Sequence, residues 1–259
     1  MLQNLREIYR YRALLWALTV RELRARYRAS VLGFLWTFLN PTLQMLVYTL
    51  LFSVYMRQSV EHYAYFLFVG LLPWTWFSSS ITGCATSISD RRDLLTKVRF
   101  PAQVLPATVI LTNLINYLLS IPLVLALGAF FDVWPSWHLV ALPAVLFVQL
   151  LLTVALGYLV SALNVRFRDL QFVVVNLTML WFFLTPILYP LETIPAQYRP
   201  LLHYGNPVAM LVHAYQAIFV RHAAPDFAEL GCLALGAAAL LWLTTLVFEA
   251  GREEFAEYV

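Results

Sequence analysis

Long apolar runs broken by short polar connections organise this chain, and six of them stand out, at about 31–56, 63–88, 101–131, 138–163, 170–189 and 227–249. About 20 apolar residues carry a helix across the roughly 30 Å of a bilayer's hydrocarbon, so each run predicts a membrane-crossing helix. Three stretches have other patterns. Residues 1–30 interleave apolar positions with arginines, as an amphipathic helix lying in the membrane interface would, and a basic tail held by anionic lipid gives a similar pattern. Residues 89–100, SDRRDLLTKVRF, are charged yet helix-like. Ser89 or Asp90 can cap that segment, Leu94, Leu95 and Val98 gather on one arc, and Arg92, Lys97 and Arg99 point elsewhere. Residues 191–226 hold four prolines and an apolar stretch of thirteen residues, 208–220, which is too short to cross and predicts interfacial or re-entrant helices. The expected fold is an all-α integral membrane protein: an interface helix over 1–30, then a six-helix transmembrane domain over 31–259.

Composition agrees, with 61% hydrophobic and 12% charged residues and a mean hydropathy of +0.73, against about 25% charged in a soluble domain. The distribution of basic residues adds an orientation. Alternate connections carry fourteen and three of the seventeen Lys and Arg residues. The positive-inside bias then places both termini, and the 89–100 segment, in the cytoplasm. The arginine-rich start has only a short apolar run and no small-residue cleavage site, so no cleavable signal peptide is expected. Cys84 and Cys232 fall inside different spans and read as buried, inert thiols.

Several function classes fit poorly. No ionisable group lies near the middle of a span; Asp132 and Glu249 sit at span ends, and Glu229 at the start of the last. Ion-coupled transporters use such groups, or broken helices, near the midplane. The five histidines (62, 138, 203, 213 and 222) all fall on the outer side without metal-ligand spacing and read as lone interfacial residues. No catalytic residue, metal site or cofactor site is expected. Nucleic acid is not an expected partner. The only lysine, Lys97, follows a threonine rather than the glycine of a phosphate-binding loop, so an energy source must come from a partner.

The spans carry neutral polar stripes instead. Thr37, Asn40, Gln44 and Tyr48 share one face of the first, and Thr112, Asn113, Asn116, Tyr117 and Ser120 cluster in the third. Trp74, Trp76 and Phe77 in the second span, with Trp181 and Phe182 in the fifth, add aromatic faces. Amides exchange hydrogen bonds with sugar hydroxyls and rings stack on sugar faces, so these residues are candidate channel lining. Hydrogen bonding between helices accounts for the same stripes. Ser79, Gly83 and Ser87, at four-residue steps, form a small-residue seam for helix packing.

DLLTKVRFPAQVLP, residues 93–106, resembles the segment between spans two and three in ABC-2 type polysaccharide export permeases, those for O-antigen, teichoic acid and capsule. RELRARYRASVLGFLWTFLNPTLQ (21–44), NVRFRDL (164–170) and LTPILYPLETIPAQYR with YGNP (184–207) resemble the same family in order and spacing. The resemblance implies a homodimer around one channel in a bacterial inner membrane. It implies two P-loop ATPase subunits, which bind the ATP and Mg. They would be held by the N-terminal helix and by a coupling helix of Asp90, Arg91, Arg92, Asp93, Leu94, Leu95, Lys97, Val98, Arg99 and Phe100. It implies a glycan on undecaprenyl diphosphate as substrate, and an exit gate near Tyr189, Tyr198, Tyr204 and Asn206. Because guanidinium fits phosphate, Arg21, Arg24, Arg26 and Arg28, with Tyr27, are candidates to meet the lipid diphosphate among membrane lipids. A permease for small lipophilic molecules and a glycan-assembly protein without transport remain alternatives. Replacing Leu94, Leu95 and Val98 with Asp is expected to abolish co-purification of the ATPase subunit while leaving membrane insertion intact, as read by protease accessibility in spheroplasts.

Overall fold

The computed structural model describes residues 9–28, 30–56, 60–91 and 100–250. The predicted coupling residues 92–99 and the Tyr27 side chain lie outside what is described. Helices α1 (Arg12–Tyr27), α2 (Trp36–Thr49), α3 (Tyr63–Thr86), α4 (Val104–Phe130), α5 (Leu142–Arg166), α6 (Leu170–Leu184), α7 (Arg199–Tyr204), α8 (Pro207–Phe219) and α9 (Phe227–Ala250) follow in order. A wider π-helical turn, Leu50–Tyr55, prolongs α2, and a 3₁₀ turn, Trp137–Ala141, leads into α5. No strand occurs among the described residues.

Among the described residues, five helical stretches are long and apolar enough to cross a membrane: Trp36–Tyr55, Tyr63–Thr86, Val104–Phe130, Trp137–Arg166 and Phe227–Phe248. They match five of the six predicted runs to within a few residues. The fifth predicted span, 170–189, is instead a 15-residue helix, about 22 Å long at the usual helical rise. It stops at Thr185, which is extended and precedes Pro186. A proline's ring disfavours the helical conformation of the residue before it, and apolar composition carries no record of that.

Helix α3 is apolar on all sides and occupies the centre, touching α2, α4, α5, α6 and α8. Gln149 Nε2 on α5 donates to the Pro73 carbonyl of α3 at 2.8 Å. Close approach relies on glycine at two points. A Cβ on Gly83 would lie 2.8 Å from Val109 Cγ1, and one on Gly157 would lie 3.0 Å from Cys84 Sγ and 3.1 Å from Ile110 Cδ1. Gly83 thus holds the expected seam, against α4, and Ser87 is buried one turn on, but Ser79, one turn earlier on the same face, is exposed. Cys84 is buried as expected. Cys232, expected to be buried as well, is exposed on α9, because an apolar span needs lipid around it rather than protein. The π turn and the exposed Leu43, Leu46, Val47 and Val54 leave α2 with little cover beyond α3.

Helix α7 is fastened to α9 by a histidine–glutamate pair, and the α8 histidine sits beside it. His203 Nε2 lies 3.0 and 3.2 Å from the two carboxylate oxygens of Glu229, and its ring stands edge-on to His213 at 5.0 Å. Arg221 Nη1 donates to His213 Nε2 at 2.7 Å and Nη2 donates to the His213 carbonyl at 2.9 Å, with Glu192 3.8 Å away. Histidines 203 and 213 are therefore not the lone interfacial residues that sequence spacing implied; the Glu229 partner is 26 positions along the chain. Burial, helped by the positive charges of Arg221 and His203, pushes His213 down to about 4, with Glu192 opposing. Its Nε2 accepts from Arg221, so the imidazole is neutral in the folded protein.

Gly157→Val is expected to lower the thermal midpoint in detergent, corresponding to about 1–3 kcal/mol of overpacking. Gly231→Ala should not, since nothing lies within 4 Å of its added Cβ. Acid is expected to weaken the short-helix attachment. Unfolded His213 takes up a proton near its ordinary value of 6.5 and folded His213 only near 4, so its stabilisation is complete above 6.5 and lost as pH falls toward 4. His213→Gln should therefore lose less thermal midpoint than the parent between pH 7 and pH 4.5 in the same detergent, measured by intrinsic fluorescence.

Candidate functional site

The two polar stripes face each other. A cavity of about 390 Å³ opens between α1, α2, α3 and α4. Helix α2 contributes Trp36, Thr37 and Asn40, α4 contributes Asn113, Asn116, Tyr117 and Ser120, α3 contributes Thr75, Trp76 and Ser79, and α1 contributes Arg26. A second cavity of about 390 Å³ lies between α2, α3 and α6. Its wall takes Gln44 and Tyr48 from the same α2 stripe, Trp74, Ser78 and Thr82 from α3, and Thr178, Phe182 and Phe183 from α6. Thr75 and Ser79 form part of both walls.

Inside the first cavity the polar groups are ordered by their own partners. Arg26 Nη1 donates to Asn113 Oδ1 at 3.1 Å, and Asn113 Nδ2 donates to Ser80 Oγ at 3.4 Å. Ser120 Oγ turns back to the Asn116 carbonyl at 2.9 Å, and Thr75 Oγ1 to the Leu71 carbonyl at 2.8 Å. The Trp76 and Tyr117 rings stack, with centroids 5.4 Å apart and planes inclined by 26°. In the second cavity Phe182 packs against both Tyr48 at 5.8 Å and Trp74 at 5.6 Å.

Among the described residues, Arg26 is the one charged residue lining either cavity, and none of the lining residues is a carboxylate. A guanidinium beside a neutral amide suits an anionic oxygen ligand, and Trp36 is the exposed ring of this wall, since Trp76 and Tyr117 are buried against each other. All four candidate arginines are exposed, but Arg21, Arg24 and Arg28 line neither cavity. Thr112 is buried and bonded to Thr108, so it too stands apart from the path. Phe77 and Trp181 pack edge to face at 5.4 Å outside both cavities.

Trp181 has another partner. Its indole Nε1 donates to Asn206 Oδ1 at 2.8 Å, and that oxygen also caps α8 by accepting from the Val208 and Ala209 amides. Asn206 Nδ2 donates to Thr185 Oγ1 at 3.0 Å. Asn206 is thus a buried junction of α6 and α8. Tyr189 donates its hydroxyl to the Phe183 carbonyl at 2.8 Å, while Tyr198 and Tyr204 are exposed. Of the coupling residues, Asp90 and Arg91 lie on the 3₁₀ turn Ser89–Arg91, Asp90 exposed and Arg91 paired with Glu22 of α1, and Phe100 is half-buried. Sequence reasoning missed Glu22, Trp36 and the path-facing position of Ser79. A four-residue step marks a helix face but not its neighbour, so Ser79 read equally well as seam or wall.

Residues 13–220 match the model of the ABC-2 type transporter family. The chain is 57% identical, over the whole of both chains, to the O-antigen export system permease protein RfbA of Myxococcus xanthus. A protein of the same name from Klebsiella pneumoniae is 33% identical over 80% of each chain. The polysialic acid transport protein KpsM of Escherichia coli is 26% identical over 92% of this chain and 93% of its own. With a family match over most of its length and a relative this similar from end to end, the chain belongs to the ABC-2 type transporter family.

Proposed function

We propose that this chain is the membrane permease subunit of an ATP-driven exporter that carries a lipid-linked polysaccharide, of the O-antigen type, across the bacterial inner membrane. The observation that carries the reading is the pair of cavities along α3, whose described residues offer amides, hydroxyls and aromatic groups with a single guanidinium and no carboxylate. Sugar hydroxyls exchange hydrogen bonds with the amides of Asn40, Asn116 and Gln44, and ring faces meet Trp36 and Phe183, the exposed aromatics of the two walls. Arg26 supplies the charge for the phosphate of the lipid carrier, undecaprenyl diphosphate. Relatives named for O-antigen export and polysialic acid transport support this class of cargo. A path for small lipophilic molecules has no use for three amides.

Chemical power comes from two separate P-loop ATPase subunits, and two copies of this chain enclose the channel. Both termini lie in the cytoplasm, as the basic residues of alternate connections favour. The sixth crossing is made by α6 together with the irregular residues 185–190. Non-helical backbone is tolerated at membrane depth where protein satisfies it. Tyr63 donates to the Leu188 carbonyl at 2.7 Å and Gln216 Nε2 to the Pro186 carbonyl at 3.3 Å, with Ile187 and Leu188 buried between them.

Proteoliposomes holding the permease and its ATPase subunits are expected to move a lipid-linked glycan to the far leaflet only with ATP, as read by lectin accessibility. Permease alone, given a proton or sodium gradient, is expected to move none. Gradient-driven movement without the ATPase would overturn the reading.

A further inference from the structure

The close approach of α3 and α4 at Gly83 and Val109 brings two polar side chains together one turn away. Ser80 precedes Gly83 by three residues and Asn113 follows Val109 by four, so on helices running in opposite directions they meet. Both are buried. Ser80 Oγ donates its one hydrogen to the Trp76 carbonyl at 2.7 Å, which leaves it only lone pairs to offer a neighbour. Asn113 must therefore turn its NH₂ toward Ser80, at 3.4 Å, and its carbonyl oxygen away from it. That contact is long, but it can run in only one direction. On the other side of the amide lies Arg26, whose guanidinium has donors and no acceptor, and whose Nη1 reaches Asn113 Oδ1 at 3.1 Å. The orientation of the Asn113 amide is thus fixed from both sides, by a hydroxyl that can only accept and a cation that can only donate. A guanidinium is a rigid plane, so a bond at one nitrogen sets the direction of its remaining N–H groups. Arg26 itself stays exposed on the cavity wall.

We propose that Asn113 is a positioning residue: it aims the Arg26 guanidinium at the phosphate of an anionic glycolipid headgroup in the first cavity, and leaves the positive charge in place. An aspartate would fill the same space and accept the same bond. Its charge would make that bond about twice as strong and would cancel the cation that the phosphate needs. An alanine would leave the charge but not its direction. A neutral amide is the side chain that supplies an acceptor to Arg26 and a donor to Ser80 together, with no net charge. Preference for a charged lipid carrier over a neutral one is therefore set by a buried residue of α4 as well as by the arginine of α1. The inference rests on reading this cavity as the headgroup site.

The test uses the full-length chain in nanodiscs and two probes, a disaccharide on polyprenyl diphosphate and the same disaccharide on an uncharged polyprenyl lipid. The parent is expected to bind the charged probe at least about tenfold more tightly than the neutral one. Asn113→Asp should bring the two affinities within about twofold of each other. Asn113→Ala should weaken the charged probe about three- to tenfold and leave the neutral probe within about twofold of the parent. Thermal midpoints establish that each variant is folded, and if Asn113→Asp does not fold, Asn113→Ala decides alone. A residue that acts only through packing would weaken both probes alike. That result for Asn113→Ala, or no change in either probe, overturns the inference, as does a folded Asn113→Asp chain with the parent's preference. If Arg26→Gln keeps the preference, the headgroup site itself is wrong, whatever the Asn113 variants do.

Discussion

Hydrocarbon offers a polar group no water, so most polar atoms within these spans are placed by the protein atoms that satisfy them. The hydroxyls of Thr42, Thr75, Ser80, Thr108, Thr112, Thr153 and Thr185 all turn back to the carbonyl four residues earlier on their own helix. They cost the bilayer little, and only Ser80 and Thr185 among them also accept from another element, from Asn113 and Asn206. Other polar groups act between elements: Gln149 on the Pro73 carbonyl, Tyr63 on the Leu188 carbonyl, and Asn206 joining α6 to α8. Asn40 and Gln44 sit apart from both sets, exposed on the cavity side of α2. Interior packing makes no claim on their faces, and that is what a path for a polar cargo needs.

The same constraint governs charge. An unpaired charge in a span is expensive, and this chain confines its charges to the ends and connections. Arg26 is the instructive case. It belongs to α1, outside the predicted spans, yet packing of α1 against α4 brings its guanidinium to an amide of α4. A cation reaches the cavity without any span having to carry one. The Glu22–Arg91 pair on the same helix ties that placement to the α3–α4 connection.

How far the sequence foretold this depends on what each signal records. Apolar runs record burial in lipid or protein, and they located α2, α3, α4, α5 and α9 closely. They could not report that α6 ends at Thr185, because Pro186, Ile187 and Leu188 are as apolar as the helix before them. Helical spacing records which residues share a face, and so the stripes on α2 and α4 were legible before their apposition was known. Which arginine of RELRARYR enters a cavity depends on how α1 is rotated against α4, a tertiary fact with no local signature. The pairing of His203 with Glu229 is of the same kind, fixed by how α7 docks on α9.

Thr75 and Ser79, one turn apart at the centre of the molecule, are held in common by both chambers. A hydroxyl is small, uncharged and able both to give and to accept a hydrogen bond, so it discriminates poorly between one sugar and the next. A repeating polymer sliding past that partition would meet the same undemanding contacts on either side, and no monomer would find a place to lodge. Indifference at the threshold would let one conduit serve chains of differing length.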